Sequence, residues 1–396
     1  MSRMHRNLVN GVLEALEWSF GRDIYMDKVL ERLFRERKNW GKRDRAFIAE
    51  HAYTIVRNWR LLWYLHGEEQ SLKRKSLWKF FYTYALWRDI ELPEWPEFEM
   101  ERQLNSVSTE TPLEIRESYA QWFHDLASEE LGEAWQKIAV ELNKEAQLVI
   151  RTNTLHLHRE QLLKELQDEG LSAAPLTFNE IGLVLSERVS TQKLESFQKG
   201  LFEVQDGGSQ LIAPALRPEE GMLVIDACAG AGGKSLHLAC LMKNRGRIIA
   251  MDVEKRKLKE LQRRARHQSA SIIETREISE KQLTELRETA DRLLLDVPCS
   301  GSGVIKRKPD TKWKLKPEYL REVQEKQSFI LNRYTDLLKP GGIVVYATCS
   351  ILPSENEDQI CNFLNGRANY KLLKEQRILP QIGSDCYYFA VLERTI

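Results

Sequence analysis

The sequence predicts an α/β protein: a doubly wound, mostly parallel sheet in the C-terminal half, an all-helical N-terminal region, and a small α/β module between them. Three observations predict it. Beyond Gln205, five apolar runs (Met222–Asp226, Arg247–Asp252, Ser271–Ile278, Arg292–Asp296 and Ile343–Thr348) are separated by helical segments at Lys234–Met242, Glu254–His267, Pro317–Leu338 and Ser354–Leu364. Near-continuous apolar strands alternating with helices are buried on both faces, as in a parallel sheet. A glycine-rich turn, Asp226–Ser235 (DACAGAGGKS), joins the first of these runs to a helix. In the first 142 residues, by contrast, apolar side chains recur at helical spacing.

The N-terminal region, residues 1–142, carries Leu8, Val12, Leu16 and Phe20 four residues apart. A second stripe (Phe47, Ile48, Ile55, Val56, Trp59, Leu62, Trp63) follows the turn Gly41–Asp44, which implies a helical bundle. Prolines and acids in Glu91–Pro112 break the pattern and predict an irregular connection. Residues 143–205 read as the small module, with strand-like Leu148–Leu155, a helix over Arg159–Glu169, and strand-like Gly182–Leu185 and Gly200–Val204. Residues 206–396 form the sheet domain, closed by a late antiparallel strand at Cys386–Glu393.

With 59 Lys+Arg against 58 Asp+Glu, the net charge is only +1, so the chain as a whole is no polycation. Its basic residues cluster at Arg35–Arg45, Lys243–Arg247, Glu254–His267 and Lys306–Lys316. Local positive surfaces attract a phosphate backbone even at near-zero total charge. Glu254–His267 reads equally well as a solvated helix face, whereas Lys306–Lys316, following a strand-end motif and containing Pro309 and Trp313, is expected to be a nucleic-acid-contacting loop. The absence of a signal-like start or a long apolar run predicts a cytoplasmic protein without a membrane span. Six cysteines with no C-x-x-C pair argue against a zinc site, a redox dithiol or a disulfide framework, and no metal is expected.

The residues that carry chemistry lie at strand ends. Cys299 closes the run Arg292–Ser300, Cys349 closes Gly342–Ser350, and Asp296 stands three residues before the first thiol. In an open α/β sheet such positions surround one crevice beyond the carboxyl ends of the strands. The turn is not a Walker A sequence, because Cys228 stands where the first glycine would have to be. Gly230, Gly232 and Gly233 also lack the G-x-G-x-x-G spacing of a nicotinamide site. S-adenosylmethionine fits better, with Asp252 at the end of the second strand placed to accept hydrogen bonds from ribose hydroxyls. A cysteine at the end of an apolar strand is usually an inert core residue. Here Pro298 and the Gly301–Gly303 turn keep Cys299 at a loop, and the nearby acid supplies a second functional group.

The ordered set Asp226–Ser235, Asp252, Asp296–Gly303 (DVPCSGSG) and Tyr346–Ser350 (YATCS) closely resembles the cytosine-5 RNA methyltransferases of the RsmB/Nop/Sun family. The resemblance runs from about Arg151 to the C-terminus and includes Arg151–Thr154, Val204–Asp206 and Ser209–Leu211. Gly41–Phe47 and Arg57–Arg60 are similar to the NusB-like RNA-binding domain of the bacterial ribosomal branch. The resemblance implies a Rossmann-like class I methyltransferase sheet, a NusB-like all-α domain, and S-adenosylmethionine held by Cys228, Ala229, Gly230, Ala231, Gly232, Gly233, Lys234, Asp252, Glu277 and Asp296. It further implies RNA as partner, 16S ribosomal RNA before transfer RNA, with no membrane and no obligate protein partner. It assigns Cys349 as the nucleophile that adds to carbon 6 of cytosine, Asp296 as the contact to the ring nitrogen and amine, and Cys299 as the residue of product release, directly or through a base it positions.

The chain departs from the family pattern in three places, one being the tail Asn365–Ile396, which is short for the ribosomal branch. Gly230-Ala231 replaces the usual Ala-Pro, which loosens the turn's backbone, and the acid after the third strand is Glu277, or alternatively Glu274, where Asp is usual. Two other functions share these features: an RNA-binding assembly factor that uses the fold as a scaffold, and a DNA methyltransferase, whose nucleophile sits in a Pro-Cys motif like Pro298-Cys299.

Overall fold

The computed structural model describes residues 4–98 and 104–395, which divide into two compact units. The first runs through Asn143 and takes in Lys308–Lys316; the second comprises Lys144–Arg307 and Pro317–Ile396. The chain thus leaves the second unit after Arg307, adds nine residues to the first, and returns at Pro317.

The first unit is helical: α1 (Arg6–Gly21), α2 (Met26–Glu36), α3 (Lys42–Arg57), α4 (Trp59–His66), α5 (Arg74–Trp87), α6 (Leu113–Arg116), α7 (Gln121–Leu131) and α8 (Ala134–Leu142). Of the stripe expected on α1, Leu8, Val12 and Leu16 are buried and Phe20 partly so, and Val9 and Leu13 join them in the core. Asp44 starts α3 by accepting from the Gly41 N–H at 2.8 Å. Trp59 and Trp63 are core residues, and Trp59 stacks on Phe20 with ring centroids 3.9 Å apart.

The basic stretch after Cys299 corrects an expectation. Within the first unit, Lys312 is buried and its ammonium donates to Arg57 O (3.1 Å), Glu117 O (2.7 Å) and Asn143 Oδ1 while lying 4.2 Å from the Tyr119 ring centroid. Trp313 Nε1 donates to Val56 O (2.8 Å), Lys314 Nζ to Ser19 O, and Asp310 accepts from Met26 N–H (2.6 Å). Of the charges in Lys306–Lys316 read as phosphate contacts, Lys306, Lys312 and Lys314 are instead held by backbone carbonyls, and Arg307 pairs with Asp206 (2.6 Å) and Asp385 (2.7 Å). Among the lysines of Lys308–Lys316, only Lys308 and Lys316 are exposed, and Lys316 pairs with Asp23.

The second unit opens with β1 (Leu148–Thr152), α9 (Arg159–Asp168), β2 (Ala173–Pro175), β3 (Gly182–Leu185), α10 (Glu195–Gln198), β4 (Phe202–Val204) and α11 (Ile212–Ala215). Its strands form an antiparallel four-stranded sheet in the order β2-β3-β1-β4. The large sheet follows: β5 (Leu223–Asp226), α12 (Gly233–Leu241), β6 (Arg247–Asp252), α13 (Lys255–His267), β7 (Ile273–Glu277), α14 (Glu280–Glu285) and β8 (Ala290–Asp296). After the short α15 (Thr311–Lys314) of the first unit come α16 (Pro317–Tyr334), β9 (Leu338–Thr348), α17 (Glu357–Gly366), β10 (Tyr370–Ile378) and β11 (Tyr387–Arg394). The order is β10-β11-β9-β8-β5-β6-β7, parallel from β9 to β7, with apolar clusters covering both faces. The doubly wound Rossmann-like sheet is as expected, including the antiparallel last strand. Strand β10 was not foreseen: YKLLKEQRI mixes charge into every turn of the pattern because it is an edge strand, paired only with β11. Among the described residues, no helix is long and apolar enough to cross a membrane.

Candidate active site

The strand order reverses between the parallel neighbours β5 and β8, since β6 and β7 lie on one side of β5 and β8 and β9 on the other. The crevice beyond the carboxyl ends of these two strands is the ligand position of such sheets. Asp226 ends β5, Asp252 ends β6, Glu277 ends β7, Asp296 ends β8, and Cys349 follows Thr348 at the end of β9. In register, Asp252 stands opposite Glu277 and Asp296 opposite Ala347.

The turn after β5 takes its shape from two left-handed glycines, Gly230 (φ 54°) and Gly232 (φ 91°). A Cβ on Gly232 would come within 2.4 Å of Leu261, so close packing of α13 also demands glycine. Asp252 fixes the turn, accepting from Gly230 N–H (2.9 Å) and Glu254 N–H (2.8 Å). Two arginines hold the carbonyls on the other side. Arg264 donates to Ala231 O (2.5 Å), and the buried Arg151 donates to Gly233 O (2.8 Å) and Gln205 Oε1 (2.6 Å). The replacement of Ala-Pro by Gly230-Ala231 is therefore braced from outside the turn. Arg264, on a helix read from sequence as a solvated or RNA-facing surface, was missed because its partners, the Ala231 carbonyl and the Glu203 carboxylate (3.0 Å), are far away in sequence.

The turn fits the nucleoside end of S-adenosylmethionine. A side chain on Gly230 would enter open space next to Asp252, which leaves room for a ribose. Glu277 sits beside Asp252 and pairs with Lys255 (3.0 Å). Glu274 lies opposite Ile249, three residues short of the strand end, and is engaged by Arg247 and Arg276. Of the two acids, only Glu277 borders the crevice. Burial pushes the Cys228 thiol well up, as it does the Asp226 carboxyl, to about 7, with Asp296 adding to the shift and Ser235 Oγ, donating at 2.6 Å, opposing it.

Deeper in the crevice, Lys234 Nζ meets Asp296 Oδ2 at 2.6 Å. Burial works against the lysine's charge, yet Asp296 outweighs it and raises its pKa. The Cys299 and Cys349 Sγ atoms are 3.2 Å apart, and both residues are partly exposed. Their loops touch through Gly303, whose N–H donates to Cys349 O (2.8 Å); a Cβ there would fall 2.3 Å from Cys386 O. The Cys299 pKa is raised well above the ordinary thiol value by its hydrogen bond to Cys349, by burial, and by the charges of Cys349 and Glu355. Glu355, which sequence reasoning missed, is fully buried behind both thiol loops.

Residues 213–385 match the family model described as 16S rRNA methyltransferase RsmB/F, and residues 119–192 match the ferredoxin-like domain described for RsmF/B-like methyltransferases. Ribosomal RNA small subunit methyltransferase B of Vibrio cholerae is 33% identical over 281 residues, 69% of this chain and 64% of that protein. The probable ribosomal RNA small subunit methyltransferase B of Coxiella burnetii is 31% identical over 303 residues, 72% of this chain and 70% of that one. The match thus spans just under two thirds of the Vibrio relative. A solved methyltransferase homolog from Pyrococcus horikoshii superposes with a TM-score of 0.64 at 28% identity, covering 72% of this chain and 98% of that one.

Proposed function

The chain belongs to the RsmB/F family of ribosomal RNA methyltransferases, and from that premise we propose that it methylates carbon 5 of a cytosine in RNA, foremost 16S ribosomal RNA, through a covalent adduct of Cys349 with carbon 6. The cofactor is S-adenosylmethionine, which when bound supplies an electrophilic methyl group. The observation that carries the reading is the pair of thiols 3.2 Å apart beside the Lys234–Asp296 ion pair, at the ends of adjacent strands.

Carbon 5 of cytosine is too weak a nucleophile by itself. Attack of the Cys349 thiolate on carbon 6 forms the S–C bond and moves the ring's π electrons toward carbon 5, which can then accept a methyl group. Asp296, held in place by Lys234, hydrogen-bonds the ring nitrogen and exocyclic amine and stabilises the adduct as charge develops. The carbon-5 proton must then leave so that the S–C bond can break and the Cys349 thiolate return. Two causes of the raised Cys299 pKa, the hydrogen bond to and charge of Cys349, disappear once the Cys349 sulfur is bound to carbon. Cys299, or a base that it positions, is the group placed to receive that proton; to receive it itself, the thiol first releases its own proton to solvent.

Bisulfite sequencing of ribosomal and transfer RNA from cells with and without the protein tests the substrate. Loss of one methylcytosine in 16S RNA is expected; loss in transfer RNA alone would reassign the substrate, and no loss would favour a scaffold role. With labelled cofactor, Cys349→Ala should abolish transfer, and Cys299→Ala should accumulate a covalent RNA–protein species on a denaturing gel.

A further inference from the structure

We propose that Glu355 is the positioning residue that holds the two thiol loops in a common register, so that Cys299 and Cys349 face the same base. The proposal rests on the cysteine chemistry above for its purpose, but not for its test. Glu355 ends a short 3-10 turn, Pro353–Glu355, between β9 and α17, and is fully buried. Its carboxylate accepts from the Ser300 N–H (2.8 Å) and the Ser300 hydroxyl (2.5 Å), from the Ser350 hydroxyl, and from Gln327 Nε2 (2.9 Å). Gln327 also donates to Pro298 O (2.9 Å). Ser300 after Cys299 and Ser350 after Cys349 therefore converge on one side chain, and Pro298 before Cys299 is tied to it through Gln327. Ser302 completes the link, 3.0 Å from Ser350 Oγ and accepting from Ile351 N–H. Tyr346, three residues before Cys349, donates to the Glu355 carbonyl at 2.7 Å.

A buried carboxylate is costly unless its lone pairs are filled, and four donors fill these. Oxygen atoms with several lone pairs can gather donors from three segments at once, which an apolar residue of the same size cannot do. The charge of Glu355 also contributes to the raised Cys299 pKa, in line with the carboxylate lying close behind that thiol.

The decisive measurement needs neither RNA nor cofactor. Diamide oxidises two adjacent thiols: both S–H bonds are lost, one S–S bond forms, and diamide takes up the two protons and two electrons to become its hydrazine. In a Cys361→Ser background, which removes an exposed thiol, peptide mass spectrometry should record rapid Cys299–Cys349 disulfide formation. Glu355→Ala should slow it tenfold or more, and Glu355→Gln, which retains an acceptor for the Ser300 N–H, by less. In methyl transfer the same variants should lower kcat in that order while KM for S-adenosylmethionine stays within twofold. Should Glu355→Ala fail to accumulate, the double variant Ser300→Ala/Ser350→Ala, which removes both hydroxyl donors, should slow the disulfide at least threefold. An unchanged disulfide rate would overturn the proposal, and so would a loss of cofactor affinity matching the loss of kcat, since that describes general loosening. If the native protein methylates no RNA, the proposed function fails while the diamide result still decides the role of Glu355.

Discussion

Two lysines, Lys312 buried in the helical unit and Lys234 partly buried in the sheet unit, show how differently one chain uses the same group. Lys312 in the helical unit is surrounded by carbonyl oxygens and a tyrosine face, and burial pulls its pKa well down, with Arg57 adding to the effect. Lys234 in the sheet unit faces an ionisable partner, and Asp296 raises its pKa against the burial. Fixed dipoles around Lys312 can only hold it, which makes it a staple. A titratable partner beside Lys234 responds to charge that appears or vanishes nearby, which is what a reaction site requires.

Exchanging each lysine for methionine should separate the two uses. Lys234→Met leaves Asp296 without its counter-charge in the crevice and should lower methyl transfer about 100-fold, the scale of losing a donor aimed at developing charge. Because the Asp296 side chain is 31% exposed, the melting temperature should change little. Lys312→Met should do the reverse. Three acceptors lose their donor, at a cost of about 3 kcal/mol to the helical unit, while transfer by the folded protein stays within about threefold. The salt dependence of RNA binding should also be unaltered, whereas a lysine on phosphate would reduce its slope by about one. A changed slope would collapse the contrast between the two lysines.

A smaller effect is expected at Gly303→Ala. The added carbon would meet two backbone carbonyls, so the loops must part, and overpacking of this kind costs about 1–3 kcal/mol. The variant should lose transfer more steeply than stability, because the displaced atoms belong to the Cys349 backbone. Equal losses in the two assays would mean that Gly303 serves packing alone.

Legibility in the sequence divides along the same line. Strands β5, β6, β8 and β9 could be read because each is a short apolar run punctuated by glycine, proline or a terminal acid, and the site residues at their ends came with them. The glycine turn was readable because its backbone conformation excludes other residues. Glu355 and Lys312 were not readable. Within SENED and DTKWK a charged residue looks solvated, and only the convergence of segments distant in sequence, Ser300 and Gln327 in one case and Arg57, Glu117 and Asn143 in the other, reveals its burial. Local pattern encodes which face of an element is apolar. It does not encode which polar residue will be surrounded by partners.

The gentlest probe is pH, which should act on the two units in opposite directions. His51, buried in the helical unit and hydrogen-bonded to the Tyr84 hydroxyl at 2.7 Å, has its pKa lowered to about 4 by burial, with Arg88 adding to the effect. It stays neutral when folded but takes a proton when unfolded below about 6.5, so its stabilising share is complete above that pH and lost as pH falls toward 4. Asp226 in the sheet unit is raised by burial to about 7. Its ionisation costs folded stability above pH 7, and that cost is relieved as pH falls toward the unfolded value near 4. Between pH 7 and pH 5 each group contributes about 2 kcal/mol, with opposite signs, so a whole-chain melt would show little. Amide exchange read by mass spectrometry should show α3 and α5 losing protection while β5 and α12 gain it. Asp226→Asn should abolish the gain and His51→Gln the loss. Parallel drift of both units would refute the contrast.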